Sequence, residues 1–261
     1  TAMFATASVQ KSANADARGG SASAKGAGAA GTVKLGGETA IARMGFGAMR
    51  ITGEGIWGEP EDAKACRAVL RRAVELGVNF IDTANSYGPF VSERLIAEAL
   101  HPYPQGLIIA TKVGLMRPGP NQWVPNCRPD YIRAECEGSL ARLKVERIDL
   151  YQLHAVDPKV PYEDSIGELA KLQKEGKIRH IGVSNVDVDQ LAKARALVEV
   201  VSVQNRYNVA DRSSDPVLAV CEQNGIAFIP WSPLSQNPRD AGDENRKALE
   251  AVAAKRGISV P

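Results

Sequence analysis

Between residues 44 and 256 the chain repeats one pattern seven times: a short apolar run, then an amphipathic stretch long enough for a helix. The apolar runs lie at 44–49, 79–82, 107–112, 148–153, 178–183, 200–204 and 226–231. The helical stretches lie at 61–76, 92–100, 129–143, 162–175, 187–197, 215–224 and 243–256. Two of these close on Gly77 and Gly176, the residue type that permits a left-handed helix C-cap. Single strands alternating with helices argue for a parallel sheet covered by helices. Before the first unit, Val33-Lys34-Leu35 and Ala40-Ile41-Ala42 flank Gly36-Gly37, which predicts a β-hairpin. An open doubly wound sheet more often carries a GxGxxG turn after its first strand, and here Ala48-Met49-Arg50 follows. The fold expected is therefore α/β, a (β/α)8 TIM barrel with an N-terminal β-hairpin. It is an incomplete one, because seven βα units are found where the closed form has eight. Either an eighth unit has been removed or the barrel is open on one side, and the sequence leaves both readings standing.

Of 261 residues, 44% are apolar and 24% charged, enough apolar material for a sizeable core. Residues 1–31 are the exception. They are rich in Ala, Ser and Gly and read as a flexible leader, since little there can offset the entropy of ordering. Thr1-Ala2 before Met3 reads as a cloning remnant, and the leader lacks the apolar core of a secretory signal. A transit peptide of similar composition stays open. Residues 32–261 are assigned to the barrel. No run approaches the roughly 18 apolar residues of a membrane span. Thirty-two basic against 30 acidic residues give a net charge of +2, which calls for neither a nucleic-acid nor a membrane partner. Four cysteines stand far apart without a CxxC pair, and there are three histidines. That pattern fits neither a disulfide framework nor a zinc site, and no metal is expected. Reduced thiols and a cytoplasmic location are.

In a barrel of this kind chemistry gathers where the strands end. Asp82 ends its strand, and Tyr87 follows in the loop. Lys112 ends the next strand and His154 the one after. A lysine held beside a tyrosine favours the phenolate and pulls the phenol below its free value of about 10. Asp82 would hold the lysine, and His154 would orient a carbonyl oxygen. Such a set suits protonation of a carbonyl while a second group delivers hydride. Taken singly, each residue has a plainer reading: a helix cap or ion pair for Asp82, an exposed strand end for Lys112, a structural histidine for His154.

These segments resemble the aldo-keto reductase superfamily over nearly everything after the leader. Gly77-Val78-Asn79-Phe80-Ile81-Asp82-Thr83-Ala84, through Tyr87 to Ser92-Glu93, is similar to the family's first signature, and Leu150-Tyr151-Gln152-Leu153-His154 to its histidine motif. The resemblance implies a catalytic tetrad of Asp82, Tyr87, Lys112 and His154. It implies NADPH as cofactor, with Ser184, Asn185 and Gln204 on the nicotinamide carboxamide and Tyr207 stacked under the ring. Trp231, Ser232, Pro233, Leu234 and Ser235 would follow the pyrophosphate. Gly45-Phe46-Gly47-Ala48-Met49, Ser86-Tyr87-Gly88-Pro89 and His101-Pro102-Tyr103-Pro104 resemble the bacterial pyridoxal reductase-like branch. Met49, Trp57, Pro89 and Trp123 would then line a pocket for a small carbonyl compound. The family's eighth strand and its 2′-phosphate loop have no counterpart here, so weak cofactor binding and two open sheet edges are expected.

The activity implied is reduction of an aldehyde or ketone, pyridoxal-like compounds among them, with Tyr87 as proton donor. Two other readings stand beside it. One is a nucleotide-sensing regulatory protein on the same scaffold with little turnover. The other is a barrel isomerase or lyase acting on phosphorylated sugars, against which Ser184, Asn185 and Gln204 speak.

Overall fold

Each of the seven apolar runs becomes a strand and each amphipathic stretch a helix. A computed structural model describes residues 3–6, 26–233 and 242–258. It begins with β1 (Met3–Thr6) and the antiparallel pair β2 (Thr32–Leu35) and β3 (Thr39–Ala42). Next come β4 (Met44–Gly47), α1 (Ala63–Glu75), β5 (Phe80–Asp82), α2 (Val91–Leu100) and β6 (Ile108–Val113). A small hairpin of β7 (Leu115–Met116) and β8 (Val124–Pro125) precedes α3 (Pro129–Leu143). Then β9 (Ile148–Leu153), α4 (Tyr162–Lys174), β10 (Ile178–Ser184) and α5 (Val188–Leu197) follow. The chain finishes with β11 (Val200–Arg206), α6 (Asp215–Asn224), β12 (Ala227–Trp231) and α7 (Gly242–Arg256). The expected first strand is shorter than 44–49, because Ala48–Ile51 turn into a 3-10 helix. Among the described residues no helix is long and apolar enough to cross a membrane.

The large sheet is parallel throughout, in the order β1-β4-β5-β6-β9-β10-β11-β12. Seven of these strands are the expected ones. The eighth, β1, comes from inside the segment assigned to the leader and runs along β4 with Met3 opposite Met44 and Thr6 opposite Gly47. It also comes within 8 Å (Cα–Cα) of β12, so the two ends of the curled sheet meet. Residues 7–25, the rest of that leader apart from Thr1, Ala2 and the stretch from Gly26 on, lie outside the described residues. Ala27, in a short 3-10 helix, is buried and bonds through its N–H to Leu76 O at 2.7 Å.

Side chains alternate across each strand, and the alternation sorts the core. Outward residues such as Tyr151, Ile181, Val183 and Val203 pack against helix residues Ile132, Ile166, Leu169 and Leu191. Ile81 and Ile109 meet Leu70, Leu95 and Ile96 in the same way. Inward residues Phe80, Ile108, Ala110, Leu150 and Ile229 form a plug, and the β2–β3 hairpin pushes Leu35 and Ile41 into it. The hairpin thus closes one end of the barrel with apolar side chains. Two residues further along the same inward faces the character changes. Phe80 gives way to Asp82, Ala110 to Lys112 and Leu150 to Gln152, all buried. A second buried tie stands outside the barrel: Glu93 on α2 accepts from Thr111 Oγ1 on β6 and from Arg142 Nε on α3, each at 2.6 Å.

The polar layer leaves no room on β10, where Gly182 lies opposite Gln152 and Ser202. A Cβ there would overlap the Ser202 hydroxyl and stand 2.9 Å from Gln152 Cγ. Gly182→Ala should therefore destabilise the fold by about 1–3 kcal/mol, as overpacking does. Thermal unfolding of Gly182→Ala and of Gly182→Ala with Ser202→Gly checks this, the second change being expected to restore part of the loss.

Candidate active site

The centre of the polar layer is the Lys112 ammonium, which is wholly buried. An ammonium has three N–H donors. Here they go to Asp82 Oδ2 at 2.6 Å, Thr83 O at 2.8 Å and Tyr87 Oη at 3.3 Å. Asp82 is held from its other side. Its Oδ1 accepts from Gln204 Nε2 at 2.9 Å and from Gln152 Nε2 at 3.3 Å. The loop after β5 brings Tyr87 back over the strand end, fixed by Tyr87 N donating to Ala84 O and Ser92 N to Tyr87 O. His154, just past β9, stands with its ring 5.7 Å from the Tyr87 ring and nearly perpendicular to it. Its Nδ1 lies 3.4 Å from Ser86 Oγ. Asp82, Tyr87, Lys112 and His154 therefore come together at one rim, as the sequence places them.

The electrostatics depart from expectation at Tyr87. Burial pushes the phenol above the ordinary tyrosine range, and the Lys112 ammonium, pulling the other way, does not overcome it. The expected downward pull of the lysine is present but outweighed. For Lys112 burial disfavours the charge, but Asp82 and then Tyr87 outweigh burial and the pKa lies above its usual value. His154 is held well below the ordinary histidine range by burial first, then by Lys112 and Arg117. Near neutral pH the site is thus a protonated phenol, a charged lysine and a neutral imidazole. The phenol oxygen accepts from Lys112, which leaves its own proton to give.

Ser184 and Asn185 follow at the end of β10. Ser184 Oγ donates to Gln204 O at 2.7 Å. Asn185 is exposed at φ +57°, with Nδ2 donating to His154 O at 2.9 Å and Oδ1 accepting from Trp231 Nε1 at 3.0 Å. Gln204 turns to Asp82 rather than outward. Trp231 continues the inward parity of Ala227 and Ile229 and reaches the rim beside Asn185. Ser232 has a buried hydroxyl with no partner among the described residues, and Pro233 is half-buried beside it. Leu234 and Ser235 lie outside the described residues. Tyr207 is not with this group. Its ring packs at 5.5 Å against outward-facing Phe228, and its hydroxyl donates to Asp215 at 2.7 Å on α6. A ring so placed belongs to the sheet–helix core.

Of the expected pocket residues, Trp123 is nearest the chemistry, its ring 6.3 Å from those of both Tyr87 and His154. Trp57 is bridged to Gly88, next to Pro89. Met49 lines a hollow of about 250 Å³ with Arg50, Thr52 and residues 53–56. A larger cavity of about 440 Å³ is lined by Gly36, Gly37, Arg195 and Asn224, near the hairpin and away from the tetrad. The chemistry of the side chains, not the size of the hollow, marks the site. Sequence reasoning gave no role to Gln152 or Arg117. Gln152 had a signal, since it stands two residues before His154 on one strand and so faces the barrel interior. Among the described residues no cluster of three or more His, Cys, Asp or Glu is arranged to hold a metal, and all four cysteines are buried free thiols.

The profile of the Aldo/keto reductase family matches residues 43–258. An uncharacterized oxidoreductase of Schizosaccharomyces pombe is 57% identical over 206 residues, 79% of this chain and 67% of that protein. Pyridoxine 4-dehydrogenase of Escherichia coli is 39% identical over 204 residues, 76% of this chain and 71% of its own length. Among solved structures, a glycerol dehydrogenase from Gluconobacter oxydans superposes with a TM-score of 0.76 at 32% identity, over 89% of this chain and 80% of that one. An aldo-keto reductase from Klebsiella pneumoniae in complex with NADPH gives 0.72 at 25% identity, over 88% and 77%. With the family profile matching across residues 43–258, well over half of its length, this chain belongs to the Aldo/keto reductase family.

Proposed function

We propose that the chain is an NADPH-dependent carbonyl reductase that converts an aldehyde or ketone to an alcohol. The observation that carries this reading is the three-way bond of Lys112 to Asp82, Thr83 O and the Tyr87 phenol. It holds an acid at the rim with its proton unspent. The E. coli and Gluconobacter relatives, named for pyridoxine and glycerol dehydrogenation, support alcohol–carbonyl exchange. The NADPH complex of the Klebsiella structure supports the cofactor.

The rim residues fit a nicotinamide. Asn185 is an exposed amide, Ser184 lies beside it, and the Trp231 indole stands edge-bonded to Asn185. Ser232 adds a buried hydroxyl that lacks a partner among the described residues, the kind of group a ligand satisfies. Ser184 and Asn185 would hold the carboxamide, and Trp231 offers the flat face that Tyr207 does not. When bound, NADPH supplies the hydride to the carbonyl carbon. Tyr87 gives its proton to the carbonyl oxygen and later regains one from solvent. Lys112 stays on the phenol oxygen and stabilises the phenolate that forms. With the Ser86 hydroxyl, 3.4 Å away, taken as the donor to Nδ1, the neutral His154 keeps its proton on Nε2 and from there gives a hydrogen bond, not the proton, to the same carbonyl oxygen. Trp57, Trp123, Met49 and Pro89 shape the space in front, and the substrate is a small uncharged or ring-borne carbonyl compound, pyridoxal-like aldehydes included.

Tyr87→Phe should reduce aldehyde turnover roughly a hundred- to ten-thousand-fold, the usual worth of a positioned acid. NADPH affinity, read from quenching of tryptophan fluorescence, should be kept. Near-normal turnover in that variant would refute the role of Tyr87, and tight NADPH binding without turnover in the unsubstituted chain would favour nucleotide sensing. Trp231→Ala should weaken NADPH binding about fivefold or more, as loss of an aromatic contact does. The pH dependence follows from the raised phenol. A donor must be protonated, so the reductive rate should stay level through neutral pH and fall only above the ordinary tyrosine value of about 10. In the oxidative direction Tyr87 must be ionised, so that rate should rise with pH over the same range.

A further inference from the structure

Arg117 enters the chemistry above only through its charge, which helps keep His154 neutral, yet among the described residues no side chain at the rim is tied to more of the surrounding backbone. It leaves β7 and turns inward until it is 7% exposed. Nε donates to Gln122 O at 2.7 Å, Nη1 to Ile56 O at 2.8 Å and Ser86 O at 3.1 Å, and Nη2 to Gly55 O at 2.8 Å. The acceptors belong to three loops: the one after β4, the one carrying Tyr87, and the β7–β8 turn. The loops also bond one another. Gly58 N donates to Gly88 O at 2.8 Å, and Asn121 N to Gly55 O at 3.0 Å. At the junction Ile56 sits at φ +56°, a left-handed conformation that a β-branched residue adopts only when its surroundings impose it. The Ile56 carbonyl is one of those Arg117 holds.

The guanidinium also lies over aromatic faces, with Cζ 3.7 Å from the Trp123 ring centroid and 6.0 Å from that of Trp57. Trp123 in turn stands 6.3 Å from the rings of Tyr87 and His154. Four of the five guanidinium N–H groups are therefore spent on backbone. A guanidinium so committed cannot also make the two-pronged contact that recognises a carboxylate.

We propose that Arg117 is a positioning residue that sets substrate preference: by clamping the three loops it holds Trp57 and Trp123 as fixed walls in front of Tyr87 and His154, and so favours a carbonyl borne on a flat, uncharged ring. The class accepted best is aromatic aldehydes without an anionic group. Short aliphatic aldehydes gain little from such walls, and a ring carboxylate finds no free cation in Arg117. The proposal rests on the carbonyl-reductase reading for its kinetic test but not for its binding test.

The experiment compares the full chain with Arg117→Met and Arg117→Lys, using benzaldehyde, 4-carboxybenzaldehyde and propanal with NADPH. The unsubstituted chain should prefer benzaldehyde to both others in kcat/KM. In Arg117→Met the benzaldehyde-to-propanal ratio of kcat/KM should fall about tenfold, the weight of one lost cation–aromatic contact with its loop bonds. The fall should lie in KM. Arg117→Lys keeps the charge but not the fork, and should show the same fall; restoration by lysine would overturn the clamp in favour of charge alone. An unchanged ratio in Arg117→Met would overturn the proposal, as would a preference of the unsubstituted chain for 4-carboxybenzaldehyde. If Arg117→Met does not fold, Trp123→Leu, which leaves the guanidinium bonds in place, should give the same fall in ratio. Should the unsubstituted chain reduce no aldehyde, the carbonyl-reductase reading fails. Benzaldehyde quenching of tryptophan fluorescence then decides about Arg117: loss of saturable quenching in Arg117→Met supports the clamp, and equal quenching overturns it.

Discussion

A charged ammonium at 0% exposure is the constraint from which the site is built. Taking the Lys112 charge out of water costs several kcal/mol, on the order of what a well-made ion pair with further hydrogen bonds returns. One carboxylate, one backbone carbonyl and one phenol supply the return, using every N–H the lysine has. Asp82 then needs its own partners, because a carboxylate oxygen inside a barrel is as costly to strand as an ammonium. Gln152 and Gln204 provide them. Their amides fill the barrel cross-section, which is why β10 has to pass that level as glycine. A single buried charge thus dictates residue types on five neighbouring strands: Asp82 on β5, Lys112 on β6, Gln152 on β9, Gly182 on β10 and Gln204 on β11.

The barrel separates into two levels by strand parity. Apolar residues and the β2–β3 hairpin dry one end, and the charged layer rests on that dry plug. With the plug below and Trp123 beside it, the Tyr87 phenol loses water on most sides. Burial then raises its pKa more than the lysine lowers it. The lysine orients the phenol, and in the proposed reaction it would stabilise the phenolate left when the proton has gone. In the proposed reaction a phenol raised in this way keeps its proton for donation near neutral pH.

Much of this was legible in the sequence, and the failures have physical reasons. The seven strands and the helices between them follow from hydrophobic period, a signal summed over many residues. The Asp82–Tyr87–Lys112–His154 rim follows from strand ends. β1 escaped because four residues in an Ala, Ser and Gly context carry almost no periodic signal of their own; their place along β4 is set by partners. β7 and β8 escaped because two-residue strands have no period at all. For Tyr207 the family resemblance implies a place under the nicotinamide. The strand parity that points Phe228 outward and Trp231 inward gives Tyr207 a partner in the core instead. The direction of the Tyr87 shift depends on depth of burial, which one sequence does not state.

Strands and loops divide the labour at the rim. Asp82, Lys112, Gln152 and Gln204 stand on strands, whose ladder fixes them to fractions of an ångström. The residues in front of them stand on loops, which have no ladder. Loops that carry specificity must be held by something other than secondary structure. In this chain the means are few and identifiable: the Trp57–Gly88 bridge, the bond from Asn185 to Trp231, and the buried guanidinium that gathers three carbonyl-bearing loops. Because the bridge and the guanidinium each tie a wall residue to the loop of Tyr87, the shape of the pocket and the placement of that phenol are coupled. On the proposed reading, a change that loosens the wall is then felt first in how a substrate sits against Tyr87, and only afterwards in the stability of the barrel beneath.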